Sequence, residues 1–139
     1  MSKLKEAFWE ALKSMYKSLP IIVGILMLVA LAKALIPQKL YTDLFSGNYI
    51  TDPLIGAVLG SIMAGNPITS YIIGGELLKG GVGLLAVTAF LVAWVTVGII
   101  QLPAEAAFLG KKFAIYRNIS AFFLAIIVAL ITVLIINII

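Results

Sequence analysis

The residues of this chain that can do chemistry fall in two short stretches. The first follows Gly65, where Asn66, Pro67, Thr69, Ser70 and Tyr71 bring an amide, two hydroxyls and a phenol to a proline break. The second runs from Thr96 to Glu105 and carries a hydroxyl, the Gln101 amide and one carboxylate. Groups of this kind hold a small polar solute or an ion. Bond-breaking schemes need partners that are missing: the chain has no cysteine and no histidine. That removes disulfides, thiolate and imidazole metal sites, histidine-ligated haem and the triads built on those residues. There is no phosphate-cradling GxxxxGK loop and no facing pair of carboxylates in an apolar segment. No enzyme, cofactor or metal centre is expected.

The elements that position these groups must lie in a membrane. Of 139 residues, 63% are hydrophobic and 12% charged, whereas soluble domains average about 45–50% and about 25%. A spanning helix takes about 20 residues, which leaves room for roughly four apolar segments and no separate soluble domain. The net charge of +4 sits in short basic clusters beside apolar runs. That pattern sets membrane topology and does not make a nucleic-acid face, so the lipid bilayer is the expected partner.

Residues 1–18 place Leu4, Phe8, Ala11, Leu12 and Met15 at helical spacing, with Lys3, Glu6, Glu10, Lys13 and Lys17 elsewhere. This predicts an interfacial amphipathic helix, serving as an anchor or a lipid sensor. A membrane helix over 19–36 starts at Pro20 and stops before Pro37. Ala30-Leu31-Ala32 resembles a signal cleavage site, but the long stretch of mixed charge before it is unlike a secretory signal. Residues 38–53 read as a solvent-facing loop with a helix start near Asp52-Pro53.

The run 53–79 is apolar but interrupted at 65–67, because Pro67 lacks an amide hydrogen and disfavours helix at Asn66. Two half-helices are expected. Such a break at membrane depth must be buried in protein or line a watery cavity, and transporters bind cargo at such breaks. Amides at the start of the second half-helix attract anions; alternatively, the polar groups satisfy one another in a packed kink. Gly56 and Gly60 read as a packing face. The third run, 82–102, loses regularity at Thr96, Gly98 and Gln101, with Thr88 on the same run. A short helix from Pro103 and a basic loop with Lys111, Lys112 and Arg117 fill 103–117. An uncharged spanning helix covers 118–139. Glu105 is either a buried proton or cation site or a carboxylate stabilised by its helix start.

Topology turns on 53–79. As a re-entrant hairpin it leaves three crossings, with Lys3, Lys5, Lys13, Lys17, Lys111, Lys112 and Arg117 on one side against Lys33, Lys39 and Lys79. The positive-inside rule then puts the N-terminus in the cytoplasm. As a single broken span it divides the charges evenly, which permits dual insertion and an antiparallel dimer. Charge bias and arm length favour the hairpin.

The stretches Pro53 to Gly60, Gly65-Asn66-Pro67 and Gly74 to Gly81 resemble one half of the predicted permeases of the YraQ and organoarsenical-permease type. So do Ala89-Phe90-Leu91, Leu102-Pro103 and Leu109 to Lys112. The resemblance implies a half-size subunit that completes its transport path as a homodimer. Where that family often has a cysteine motif, this chain has Ala64-Gly65-Asn66-Pro67, which argues against arsenic or other thiophilic cargo. The combined expectation is an all-α, multi-pass transmembrane helical bundle in the cell membrane, with an amphipathic N-terminal helix and discontinuous helices in a single domain over 1–139. It is read as a permease for a small solute or ion, with a midplane site formed by Asn66, Pro67, Thr69, Ser70, Tyr71, Thr96, Gln101 and Glu105. A non-transporting scaffold subunit and a passive channel are the alternatives.

Overall fold

The structure, a computed structural model, describes residues 2–35, 37–63 and 66–139. Gly65 of the expected break and Ile36, the expected end of the first membrane helix, lie outside them. The described residues are all-helical, without strands. Helix α1 spans Ser2–Leu35, α2 Gln38–Leu44, α3 Thr51–Ile62, α4 Pro67–Lys79, α5 Leu84–Thr96, α6 Leu102–Leu109 and α7 Lys111–Ile138. They form two compact units, Met1–Ile36 and Pro37–Ile139, where a single domain is expected.

Unit one is α1. It is one continuous helix through Pro20, rather than an amphipathic segment followed by a separate membrane helix. A proline inside a helix removes one backbone hydrogen bond, here the one to the Tyr16 carbonyl, and the apolar residues on both sides keep the helix going. The Ser18 hydroxyl donates back to the Ser14 carbonyl at 3.0 Å.

Among the described residues two helices are long and apolar enough to cross a membrane, over Lys3–Leu28 in α1 and Lys111–Ile138 in α7. The apolar helices α3 and α5 have 12 and 13 residues. At about 1.5 Å per residue they reach roughly 18–20 Å, short of the hydrocarbon thickness of about 30 Å. The run 82–102 is therefore not one spanning helix. It ends at Thr96, where Val97 turns extended (φ −102°, ψ 124°). In the same way, 103–117 holds no basic loop. Gly110, with φ +91°, closes α6 and lets α7 begin at Lys111, and lysine and arginine are good helix formers.

The expected loop 38–53 is also partly helical, since α2 occupies Gln38–Leu44 and only 45–50 remain irregular. Nor does Asp52 face solvent. It is buried, and its carboxylate accepts the Ser46 and Gly47 amides at 3.1 and 2.9 Å, which ties the loop down onto the start of α3.

Unit two is held by small residues. Ala57, Ala89, Ala93, Ala125 and Ala129 are buried together with Leu85 and Val97 at the contact of α3, α5 and α7. A Cβ at Gly56 would run into the Ala86 carbonyl, and one at Gly60 into the Phe90 carbonyl. The backbones of α3 and α5 thus nearly touch, as the packing-face reading of these glycines requires.

The same contacts give direction. Gly56 meets Ala86 and Gly60 meets Phe90, so α3 runs parallel to α5. Gly74 in α4 faces Val87 and Leu91, and Leu77 near its end packs with Val82, Ala86 and Val87. Pro67 at the other end lies beside Trp94 to Thr96, so α4 runs back along α5. Helices α3 and α4 therefore run antiparallel as a hairpin, and Met63 and Pro67, the described residues beside its apex, lie at the C-terminal end of α5. Asn118 is bonded to Gly98 at that end, while Ala125 and Ala129 pack along α5. Helix α7 is antiparallel to α5.

Candidate functional site

Three chain features converge where α5 stops: the hairpin apex, the irregular segment 97–101, and the first charged turns of α7. Between them lies a cavity of about 180 Å³. Met63 and Pro67 line it from the apex, Trp94, Thr96 and Gln101 from the end of α5 and the turn after it, and Glu105 and Arg117 from α6 and α7.

The charged wall is an ion pair. Arg117 grips the Glu105 carboxylate with two nitrogens, Nε donating to Oε2 at 3.0 Å and Nη2 to Oε1. Asn118 Nδ2 adds a third donor to Oε2 at 3.0 Å. The Glu105 side chain keeps 19% of its surface exposed and that of Arg117 37%. A planar guanidinium on a carboxylate fixes orientation as well as charge. Two charges in an apolar protein neutralise each other here, and the wall has no net charge.

Asn118 organises the second break. Helix α5 ends with the Val97 amide donating to the Ala93 carbonyl, and the chain then turns extended, so the next amide, that of Gly98, needs a partner outside the helix. Asn118 Oδ1 accepts the Gly98 amide at 2.8 Å, and Nδ2 donates to Glu105 and to the Ala114 carbonyl at 2.9 Å. The side chain is buried and fully used.

The first break satisfies itself. Asn66 is extended (φ −67°, ψ 137°) and caps α4, its Oδ1 accepting the Ile68 amide at 3.0 Å and its carbonyl the Thr69 amide at 2.9 Å. Pro67 has no amide hydrogen to offer, and the buried Ser70 hydroxyl donates to the Pro67 carbonyl at 2.6 Å. The α4 start is therefore not an open nest of donors for an anion. Its amides are taken by Asn66.

Of the eight residues expected at a site, Pro67, Thr96, Gln101 and Glu105 line the cavity. Asn66, Thr69, Ser70 and Tyr71 do not: Asn66 caps, Ser70 is buried within α4, and Tyr71 is exposed. Thr88 is also absent from the lining, and its hydroxyl donates to the Leu84 carbonyl at 2.7 Å. The Thr96 hydroxyl donates to the Val92 carbonyl at 2.7 Å, which leaves its oxygen free to accept from a solute.

From the sequence, Arg117 reads as part of a topology-setting basic cluster and Asn118 as the start of an apolar span. One signal for the first was present: Arg117 is the sole arginine in a chain that otherwise uses lysine, and bidentate pairing is what arginine does better than lysine. Among the described residues no three acidic side chains gather to hold a metal ion. No family model, curated protein or solved structure matches the chain.

Proposed function

We propose that this chain is a multi-pass permease of the cell membrane that moves a small solute or ion, working as a homodimer of half-size subunits like one half of the YraQ-type permeases. The supporting observation is the cavity shared by the hairpin apex and the α5–α6 break, with the Glu105–Arg117 pair in its wall. Ionisable residues within a membrane protein mark pathways and pair with one another, and breaks at depth are tolerated where they line a cavity. The antiparallel pairing of α3 and α4 supports re-entry over a single broken span; α1 and α7 then cross as whole helices, and a third crossing over 82–102 takes α5 together with the irregular segment 97–101 rather than one helix. The cavity is smaller than the roughly 300–1,000 Å³ of drug-sized ligand pockets, so its cargo is a small solute or inorganic ion.

The site lies nearer one membrane surface than the midplane. Arg117 is only five residues from Lys112, about 7.5 Å along α7 at about 1.5 Å per residue. Its cargo meets Gln101 and Thr96 as uncharged partners and must part or accommodate the ion pair to pass. The self-capped first break supports one second reading, a scaffold subunit in which the kinks serve packing alone.

Proteoliposome flux tests the proposal. With a panel of small inorganic anions, cations and neutral solutes, at least one should enter saturably, and Gln101→Trp, which fills the cavity, should abolish it. Flux unchanged by Gln101→Trp, or none across the panel, would favour the scaffold; unsaturable current would favour a pore.

A further inference from the structure

Helix α7 carries a second concavity on its other side. A groove of about 290 Å³ runs between Val97, Ile99 and Leu102 on one wall and Ile115, Ile119 and Phe122 on the other. The one polar residue on its floor is Asn118, and each of its polar atoms is already bonded within the protein. Such a groove has nothing to hold water with, and dry apolar cavities take apolar guests.

The rim is charged. Lys111 and Lys112 lie one turn before Ile115 and Tyr116, and the spacing 112, 115, 119, 122 is a single helical stripe. Side chains in a helix lean towards its N-terminus, so Ile115 and Ile119 project towards the lysines. Both lysines are exposed and have no ion-pair partner among the described residues. An apolar slot beneath two free cations matches one kind of molecule: an apolar chain attached to an anion.

We propose that the groove holds an acyl chain of an anionic phospholipid whose headgroup rests on Lys111 and Lys112. The inference rests on α7 lying in a bilayer, and not on transport. Its chemistry is that of juxtamembrane basic residues, each worth about fivefold in attraction to an anionic surface, combined with a slot that keeps the lipid in place after the surrounding bilayer is removed.

The test starts with flotation on liposomes, which establishes membrane residence by itself. The floated protein is then extracted into detergent from vesicles of equal phosphatidylglycerol and phosphatidylcholine with identical chains, and retained lipid is counted by native mass spectrometry. Phosphatidylglycerol should be retained at least about fivefold over phosphatidylcholine. The double variant Lys111→Gln/Lys112→Gln should lose that preference, and Ile119→Trp, which fills the groove, should lose retention of both lipids with helix content unchanged. A floating protein that retains both lipids equally, or none, overturns the lipid site while leaving the membrane reading intact. Failure to float overturns both. Disulfide-linked dimers of Ile119→Cys in this cysteine-free chain would assign the groove to a second copy and overturn the lipid.

Discussion

Asn118 Oδ1 accepts the amide of Gly98 at 2.8 Å, which joins α7 to the backbone just beyond α5, twenty positions earlier. The same side chain donates to Glu105. One amide thus fixes both ends of the 97–105 segment against α7 and sets the width of the cavity. Asn118→Leu would take the partner from the part-buried Gly98 amide and two donors from the network, at a cost of about 1 kcal/mol. Unfolding in detergent should show that loss, and a variant as stable as the parent would mean that the segment is held by packing alone.

The helix contacts of unit two give a paired prediction. A methyl at Gly60 meets the Phe90 carbonyl and lies 3.0 Å from the Trp94 nitrogen, whereas one at Gly75 meets nothing. Gly60→Ala should therefore destabilise by about 1–3 kcal/mol through overpacking against backbone. Gly75→Ala should be neutral or stabilising by about 0.5–1 kcal/mol, since glycine is costly within a helix. Equal effects on the midpoint of unfolding would contradict the close approach of α3 and α5.

The Glu105–Arg117 pair should behave as a unit. Removing one partner leaves a part-buried charge without its counter-ion, so Glu105→Gln and Arg117→Gln should each cost more than half of the double variant's loss. A double-mutant cycle should give a coupling of about 1–2 kcal/mol. Additive losses would mean that solvent screens the pair and that it does not gate anything.

Much of this architecture was written locally. Pro67 ends any continuous helix by lacking a donor, and the cluster of Thr96, Gly98, Gln101 and Pro103 predicts irregularity where α5 stops. The start of α4 and the end of α5 are legible for that reason. Long-range chemistry is not. Asn118 looks like the polar edge of an apolar span, and nothing nearby in sequence shows that Gly98 will need its carbonyl. Asp52 reads as a solvated loop charge until the Ser46 and Gly47 amides are seen turned towards it. Asn66 reads as the residue before a helix-stopping proline, and its side chain caps α4. Pro20 differs: proline suits a helix start, yet α1 runs on through it with one backbone hydrogen bond lost.

The hairpin makes a topological prediction. With single cysteines at Lys5, Lys79 and Lys112 in sealed vesicles, Lys5→Cys and Lys112→Cys should react with an impermeant maleimide from one side and Lys79→Cys from the other. Reaction of Lys79→Cys on the same side as Lys5→Cys would require α3 and α4 to cross the membrane together.

The most direct test of the account is whether water reaches the cavity. In liposomes, Gln101→Cys, at the cavity wall, should react with a small impermeant thiol reagent, while Val128→Cys, on the exposed apolar surface of α7, should stay unlabelled in the lipid. Labelling at Gln101 alone is the result that a solute pathway predicts. If Gln101→Cys is as silent as Val128→Cys, the break is dry and packed, and the permease reading is wrong.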